Sequence, residues 1–329
     1  MNWNTRVAEL LGSRYPIIQG AFGGFGSSAL AAPVSEAGAF GIITASTFRD
    51  PEALRDDIRK ARSVTDQPFG VNLSIGLCPR IDEMRDVAIE ERVPVIFTAA
   101  YRADDHGHRI QEAGLKWVHK VASVQHALAA ERQGADAIVL VGLEGTAFKS
   151  IAQLPTLVGI TVAARQMKVP LIAAGGIGDA RGLVAALAMG AEGVYMGTRF
   201  LATQECPIPE RHKRKLVEAQ SWDPEFRDRC LTPPKKEEYD RVMSDKSSLS
   251  QDEWLQRLEQ VMFNQTPSEQ MASDDWGAEV ALRIAGGSLA VGVIDSVVSV
   301  KELIETIIGD AERLLSRDGS LGHILAEGR

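Results

Sequence analysis

The sequence predicts an α/β protein, a (β/α)8 TIM barrel with an inserted helical subdomain. Three observations predict it. In the first 200 residues a phrase recurs in which a helical stretch ends at a glycine and a short apolar strand follows. The strands are near-continuous apolar runs, the mark of parallel strands covered on their outer face by helices. Eight such units fit into that length, the number that closes a ring. A doubly wound open sheet is the architectural alternative.

The strands are read in order. YPIIQG at 15–20 is the first, and SEAGAFGIIT carries the second. PFGVNLS at 68–74 is the third, and VPVIFTA at 93–99 is the fourth. QEAGLKWVHK and ERQGADAIVLVG hold the fifth and sixth. VPLIAA at 169–174 and AMGAEGVYMG complete the set. Gly38, Gly114, Gly134 and Gly190 each stand where a helix closes in the left-handed conformation. Helical patterns fill the gaps, among them 51–62, 124–133 and 180–189.

Beyond Thr203 the composition shifts toward charge. KRKLVEAQ, PPKKEEYDRVM and QDEWLQRLEQVMF read as helices, which makes 205–280 a helical insertion. Residues 1–204 plus 281–329 then form the barrel. The insertion caps the barrel mouth or serves as a dimerisation arm. The apolar 281–298 stretch closes the barrel or joins two subunits in a homodimer.

The chain has 329 residues, 45% of them hydrophobic, and a net charge of −8. No basic stripe points to nucleic acid, and no polybasic run points to a membrane surface. Cys78, Cys206 and Cys230 form no CxxC pair and no zinc set. No leader segment or apolar run of membrane-spanning length is read, so a cytoplasmic location in a reducing compartment is expected.

Chemistry in such a barrel belongs at the C-terminal strand ends. The richest is AAGGIGDARGLVAALAMGAEGVYMGTRF, 173–200. Gly175 and Gly176 follow the seventh strand, and Gly197 and Thr198 follow the eighth. Backbone N–H groups approach an anion closely where no side chain intervenes, so the two turns make a phosphate cradle. Tight βα turns alone are the plain structural reading. Asp179 suits the N-cap of the next helix. No metal is required, and the HGH spacing of His106 and His108, in a polar loop after the fourth strand, is too short to mark a metal site.

These segments resemble the nitronate monooxygenases, formerly 2-nitropropane dioxygenases, a family that includes FMN-dependent enoyl-ACP reductases and NADH:quinone reductases. The stretches that carry the resemblance are PIIQGAFGGFGSSALAAPVSEAGAFGIIT, PFGVNLS, HKVASVQHALAAERQGADAIV and IAAGGIGDARGLVAALAMGAEGVYMGTRFLATQECPI. They cover 1–210 well and the rest loosely. The resemblance implies FMN, with NADH or NADPH as a co-substrate, and a small-molecule substrate. It places Gly20, Ala21, Phe22, Asn72 and Ser74 against the flavin ring, and it counts Gly142 and Glu144 of the sixth strand's loop among the cofactor-binding residues. The phosphate falls to Gly175, Gly176, Gly197 and Thr198. Lys120 matches a family lysine beside the ring, where a cation stabilises reduced flavin. His119 and Lys120 are adjacent on a strand, so only one faces the interior, and Lys120 is the reading taken.

The loop VGLEGTAFKS departs from the family pattern. Phe148 stands where the family has its acid/base histidine, and phenylalanine moves no proton. Thr146, Lys149 and Tyr195 are the candidate replacements, with His106 or His108 as further ones. A nitronate, already anionic, needs no base. Three function classes follow: an FMN oxidoreductase acting on a nitronate, an enoyl thioester or a quinone; a phosphate-binding barrel without flavin; and a flavin-binding protein that has lost catalysis. An IMP-dehydrogenase-like enzyme is disfavoured, because the loop has no cysteine nucleophile.

Overall fold

The computed structural model describes residues 1–146, 149–232, 236–250, 253–254, 257–258, 261 and 287–316. Eight parallel strands form a (β/α)8 barrel: β1 (Ile17–Gln19), β2 (Gly41–Thr44), β3 (Phe69–Ser74), β4 (Val95–Ala99), β5 (Lys116–Val121), β6 (Ala137–Val141), β7 (Leu171–Ala174) and β8 (Gly193–Met196). The hydrogen-bonded order is β1-β8-β7-β6-β5-β4-β3-β2. A parallel bridge between Ile18 and Phe40 closes the ring. There Gln19 N–H donates to Phe40 O at 2.9 Å, and Phe40 N–H donates to Ile17 O at 2.8 Å. The ring therefore has no free edge, which excludes the open sheet.

Alternation along each strand separates two cores. Ile18, Phe40, Ile42, Phe97, Val118, Val139 and Ile172 fill the barrel, and Val7 and Leu11 of α1 (Arg6–Leu11) join them. The second core lies between the ring and its helices, where Trp117, Leu54, Ile58 and Ile138 are buried. The helices are α2 (Ser28–Glu36), α3 (Pro51–Val64), α4 (Ile81–Glu90), α5 (Asp104–Glu112), α6 (Val124–Arg132), α7 (Thr156–Ala164) and α8 (Ala180–Ala188). Their ends follow from local chemistry. Asp50, Ser123 and Asp179 accept from first-turn N–H groups as N-caps. Gly38, Gly114, Gly134 and Gly190 take φ of 77° to 97° after helices.

His106 and His108 do not sit in a loop. They lie in α5, which Asp104 and Asp105 begin and Arg109 ends, charges that suit the helix dipole.

After β8 come α9 (Thr198–Leu201), α10 (Glu210–Glu218), α11 (Pro224–Leu231) and α12 (Lys236–Ser244). The α11 helix falls in a stretch for which the sequence suggests no element. Trp254, Leu258 and Val261 pack with Val242, Tyr239 and Tyr101 in a small satellite core. Of the apolar 281–298 stretch, residues 281–286 lie outside the described residues. The following turn, Leu289–Val293, leads to α13 (Val300–Leu315). That helix packs on α8 and α2, where the last helix of a barrel belongs. Among the described residues no helix is long and apolar enough to cross a membrane.

Helix α2 lies tightly on β2. A Cβ at Gly41 would stand 2.0 Å from Ala31 O. Gly41→Ala is expected to lower stability by about 1–3 kcal/mol through overpacking. Chemical denaturation checks this, and an unchanged midpoint would contradict the packing described.

Candidate active site

All eight C-terminal strand ends open on one rim, and the sequence-selected residues gather there. At β7 the chain turns through Gly175 (φ 105°) and Gly176 (φ 73°), backbone that only glycine adopts without strain. A Cβ on Gly20 would stand 2.8 Å from Gly197 Cα, so the turns after β1 and β8 meet backbone to backbone. Above Gly197 there is room, since a Cβ there would meet only Phe22 Cε1, at 3.8 Å. The N–H groups of Gly176, Gly197 and Thr198 have no hydrogen-bond partner among the described residues. Thr198 opens α9, so its N–H points out of a helical turn. Unspent backbone donors at glycine-rich turns of this kind are the groups an anion would use.

The mouth of the barrel holds the residues that the resemblance assigns to a flavin ring. Ala21 N–H donates to Tyr195 Oη at 2.6 Å, and Phe22 N–H donates to Thr44 Oγ1 at 3.1 Å. These two bonds hold the β1 loop down on the rim. Asn72 Nδ2 donates to Ser74 Oγ at 3.0 Å. Its Oδ1 is buried without a partner among the described residues.

Lys120 shares the inward face of β5 with Val118, and its Nζ stands 5.8 Å from the Tyr195 ring centroid. The amine has no hydrogen-bond partner among the described residues. Burial, and then the charge of Lys149, pushes it down to about 8. Burial also holds the Tyr195 hydroxyl protonated, well above its ordinary range.

His119 takes the opposite face. Trp117 Nε1 donates to Thr98 Oγ1 at 2.7 Å, and Thr98 stands 2.7 Å from His119 Nδ1. Burial pushes His119 down to about 4, so the ring is held neutral. His108 bonds to Gln133 O at 3.0 Å, and His106 lies 3.2 Å from Arg85. Neither imidazole is held by a partner in the mouth.

The β6 loop forms a separate knot. Lys149 Nζ donates to Leu143 O (2.8 Å), Gly145 O (2.6 Å) and Cys230 O (2.7 Å). All three N–H donors are thus taken, and they tie the loop to α11. Burial pushes this amine down to about 8, against the pull of Glu144. Glu144 Oε2 accepts from Thr156 N–H (2.8 Å) and Thr156 Oγ1 (2.6 Å), capping α7. Gly142 packs against Thr156, whose Oγ1 would lie 2.2 Å from a Cβ there. Thr146 is half-buried in the same loop, and Phe148 lies outside the described residues.

Three residues of the rim escape sequence reasoning. Thr44 holds Phe22, Thr156 holds Glu144, and Ser288 holds Thr198. Ser288 N–H donates to Thr198 Oγ1 at 2.9 Å, and the two hydroxyls lie 2.8 Å apart. The one local signal for Ser288 is the GGS that contains it, glycine-rich like the cradle.

Known proteins share this fold. The chain matches the family described as nitronate monooxygenase over residues 4–310. It is 34% identical to the (3aS,4S,5R,7aS)-5-hydroxy-7a-methyl-1-oxo-octahydro-1H-indene-4-carboxyl-CoA dehydrogenase of Mycobacterium tuberculosis, over 67% of this chain and 61% of that one. It therefore spans about three-fifths of that relative's length. A Staphylococcus saprophyticus protein named "Probable nitronate monooxygenase" is 30% identical over 68% of this chain and 75% of its own. The solved structure of FabK from Thermotoga maritima superposes with a TM-score of 0.75 at 33% identity, covering 94% of this chain and 96% of that one. Flavin dependence is typical of this group. By fold, by the reach of the match and by these likenesses, the chain belongs to the nitronate monooxygenase family of oxidoreductases.

Proposed function

We propose that this chain is an FMN-dependent oxidoreductase that moves electrons from a nitronate, or from NADH or NADPH, to O2 or an organic acceptor. One observation carries the reading: the anion cradle after β7 and β8 shares a rim with the unpartnered Lys120 amine and the orphaned Asn72 Oδ1. A buried polar atom without a partner is rare in a finished structure and is explained by a missing ligand. The residues fit FMN. Gly175, Gly176, Gly197 and Thr198 suit its phosphate, and Gly20, Ala21, Phe22, Asn72, Ser74 and Lys120 suit its ring. Bound there, FMN supplies a group that takes up and releases one or two electrons.

The chain's own residues then have defined tasks. Thr44 and Tyr195 brace the β1 loop so that the backbone of Ala21 and Phe22 keeps its place. The Lys120 cation draws an anionic substrate to the mouth and opposes negative charge that develops during reduction. A nitronate brings its charge with it, so no base need remove a proton first. A neutral nitroalkane needs that base, and Phe148 stands where the family has its histidine. Nitronates are therefore preferred over nitroalkanes. Lys149 serves the loop rather than the substrate.

A second reading, reduction of an enoyl thioester or a quinone by NAD(P)H, draws support from the 34% likeness to a carboxyl-CoA dehydrogenase.

Purified protein is expected to be yellow with bound flavin. A colourless preparation that refuses added FMN would leave only the phosphate-binding barrel. Anaerobic mixing with NADH, NADPH and a nitronate in turn separates the two readings by which reagent bleaches the flavin. A flavin that no reagent bleaches would mean lost catalysis.

Lys120→Met is expected to slow oxidation of the nitronate by about 10²-fold, the scale of one lost charge-stabilising group. The native rate should fall as pH rises through about 8, where the Lys120 amine loses its proton. A profile that keeps this limb in Lys120→Met would assign it to another group.

Lys149→Met leaves three carbonyl oxygens short of a donor. A loss of about 1–3 kcal/mol in stability is expected, with the pH limb retained. A variant as stable as the native protein, but inactive, would instead place Lys149 in the chemistry.

A further inference from the structure

A cavity of about 440 Å³ runs outward from the barrel mouth beneath the helical insertion. That volume suits a ligand site, yet it far exceeds the needs of a nitronate of two or three carbons. Its inner end is Lys120, and its floor continues over Ala100 and Tyr101 beyond β4. Its roof comes from the insertion: Met243 on α12, then Trp254 and Leu258.

Ile75, Val121, Val141, Met243 and Leu258 give the wall apolar side chains, and Arg102, His126, Gln133 and Ser150 line it as well. Trp254 Nε1 is spent on Val242 O at 3.1 Å, which leaves the indole's apolar surface to the cavity. The Lys149 amine, also on the wall, is spent on three carbonyls. Lys246 lies 4.4 Å from the Trp254 ring centroid and holds that ring by a cation–π contact.

Floor and roof are built toward each other. Ala100 has φ 85°, in the left-handed region that favours glycine. Strain of this kind persists where surrounding structure enforces it. Here the bend leads straight into Tyr101, whose ring centroid is 6.4 Å from that of Trp254.

We propose that this cavity takes the unbranched aliphatic chain of the substrate, and that Met243, Trp254 and Leu258 set the chain length accepted. The inference rests on the functional reading only in placing the reacting end at Lys120. The charged head lies at that amine, and the methylenes follow the floor outward under the roof. The helical insertion is then a gauge for the part of the substrate that does not react.

The test is calorimetric titration with butanoate, hexanoate, octanoate and decanoate. Carboxylates share the planar anionic head of a nitronate and are not turned over. Binding should tighten about fourfold per added methylene, the burial value of one CH2 group, until the cavity is full. Met243→Trp fills the roof and should stop the gain at a shorter chain. Trp254→Ala opens it and should carry the gain to longer chains, so the case does not depend on one variant folding. Affinity that ignores chain length in the native protein overturns the proposal. So does an unchanged length profile in both variants with circular dichroism intact. Flavin content is read by absorbance in the same samples. A length-dependent affinity in protein that takes up no flavin would sink the FMN reading and leave the gauge standing. Flavin-loaded protein with a flat length profile would do the reverse.

Discussion

Parallel pairing all the way round the ring puts every C-terminal strand end on one rim. A closed ring of strands that all run in one direction leaves no edge and puts all their C-terminal ends on the same side. Eight loops then converge on a space a few residues across. The barrel below is packed with Phe40, Phe97, Val118 and Val139, so only the top layer is free for polar groups. Asn72, Lys120 and Tyr195 occupy it. The same constraint brings Gly20 against Gly197, residues far apart along the chain.

The rim divides into a working part and a bracing part. Around the cradle and Lys120, donors and acceptors stand unspent. Around the β6 loop they are used up: Lys149, Glu144 and Thr156 satisfy one another's neighbourhood. Two lysines with similarly depressed proton affinity therefore have different meanings. Burial lowers both, but one amine faces open space while the other holds three carbonyls. Depressed proton affinity does not identify a catalytic group until the geometry shows what the amine touches.

The helical insertion links the two parts. Lys149 reaches Cys230 O on α11, and Tyr101 on the rim meets Trp254 of the insertion. Trp254, Met243 and Leu258, from a stretch whose sequence suggests a cap over the mouth or a dimerisation arm, line the space outside the mouth.

Local pattern determined a great deal here. Eight apolar runs, the glycines that end the helices between them and the paired turns after the last two strands are all short-range features. Steric rules and period-two alternation express them within a few residues, and alternation alone puts Lys120 and His119 on opposite faces. Long-range hydrogen bonds lie beyond such rules. Ser288 reaches Thr198 across 90 residues, and Tyr195 holds Ala21 across 174. The engagement of Lys149 with Cys230, across 81 residues, is of the same kind. Whether a polar atom is spent or free depends on which neighbours the closed ring delivers, and only the tertiary structure decided that.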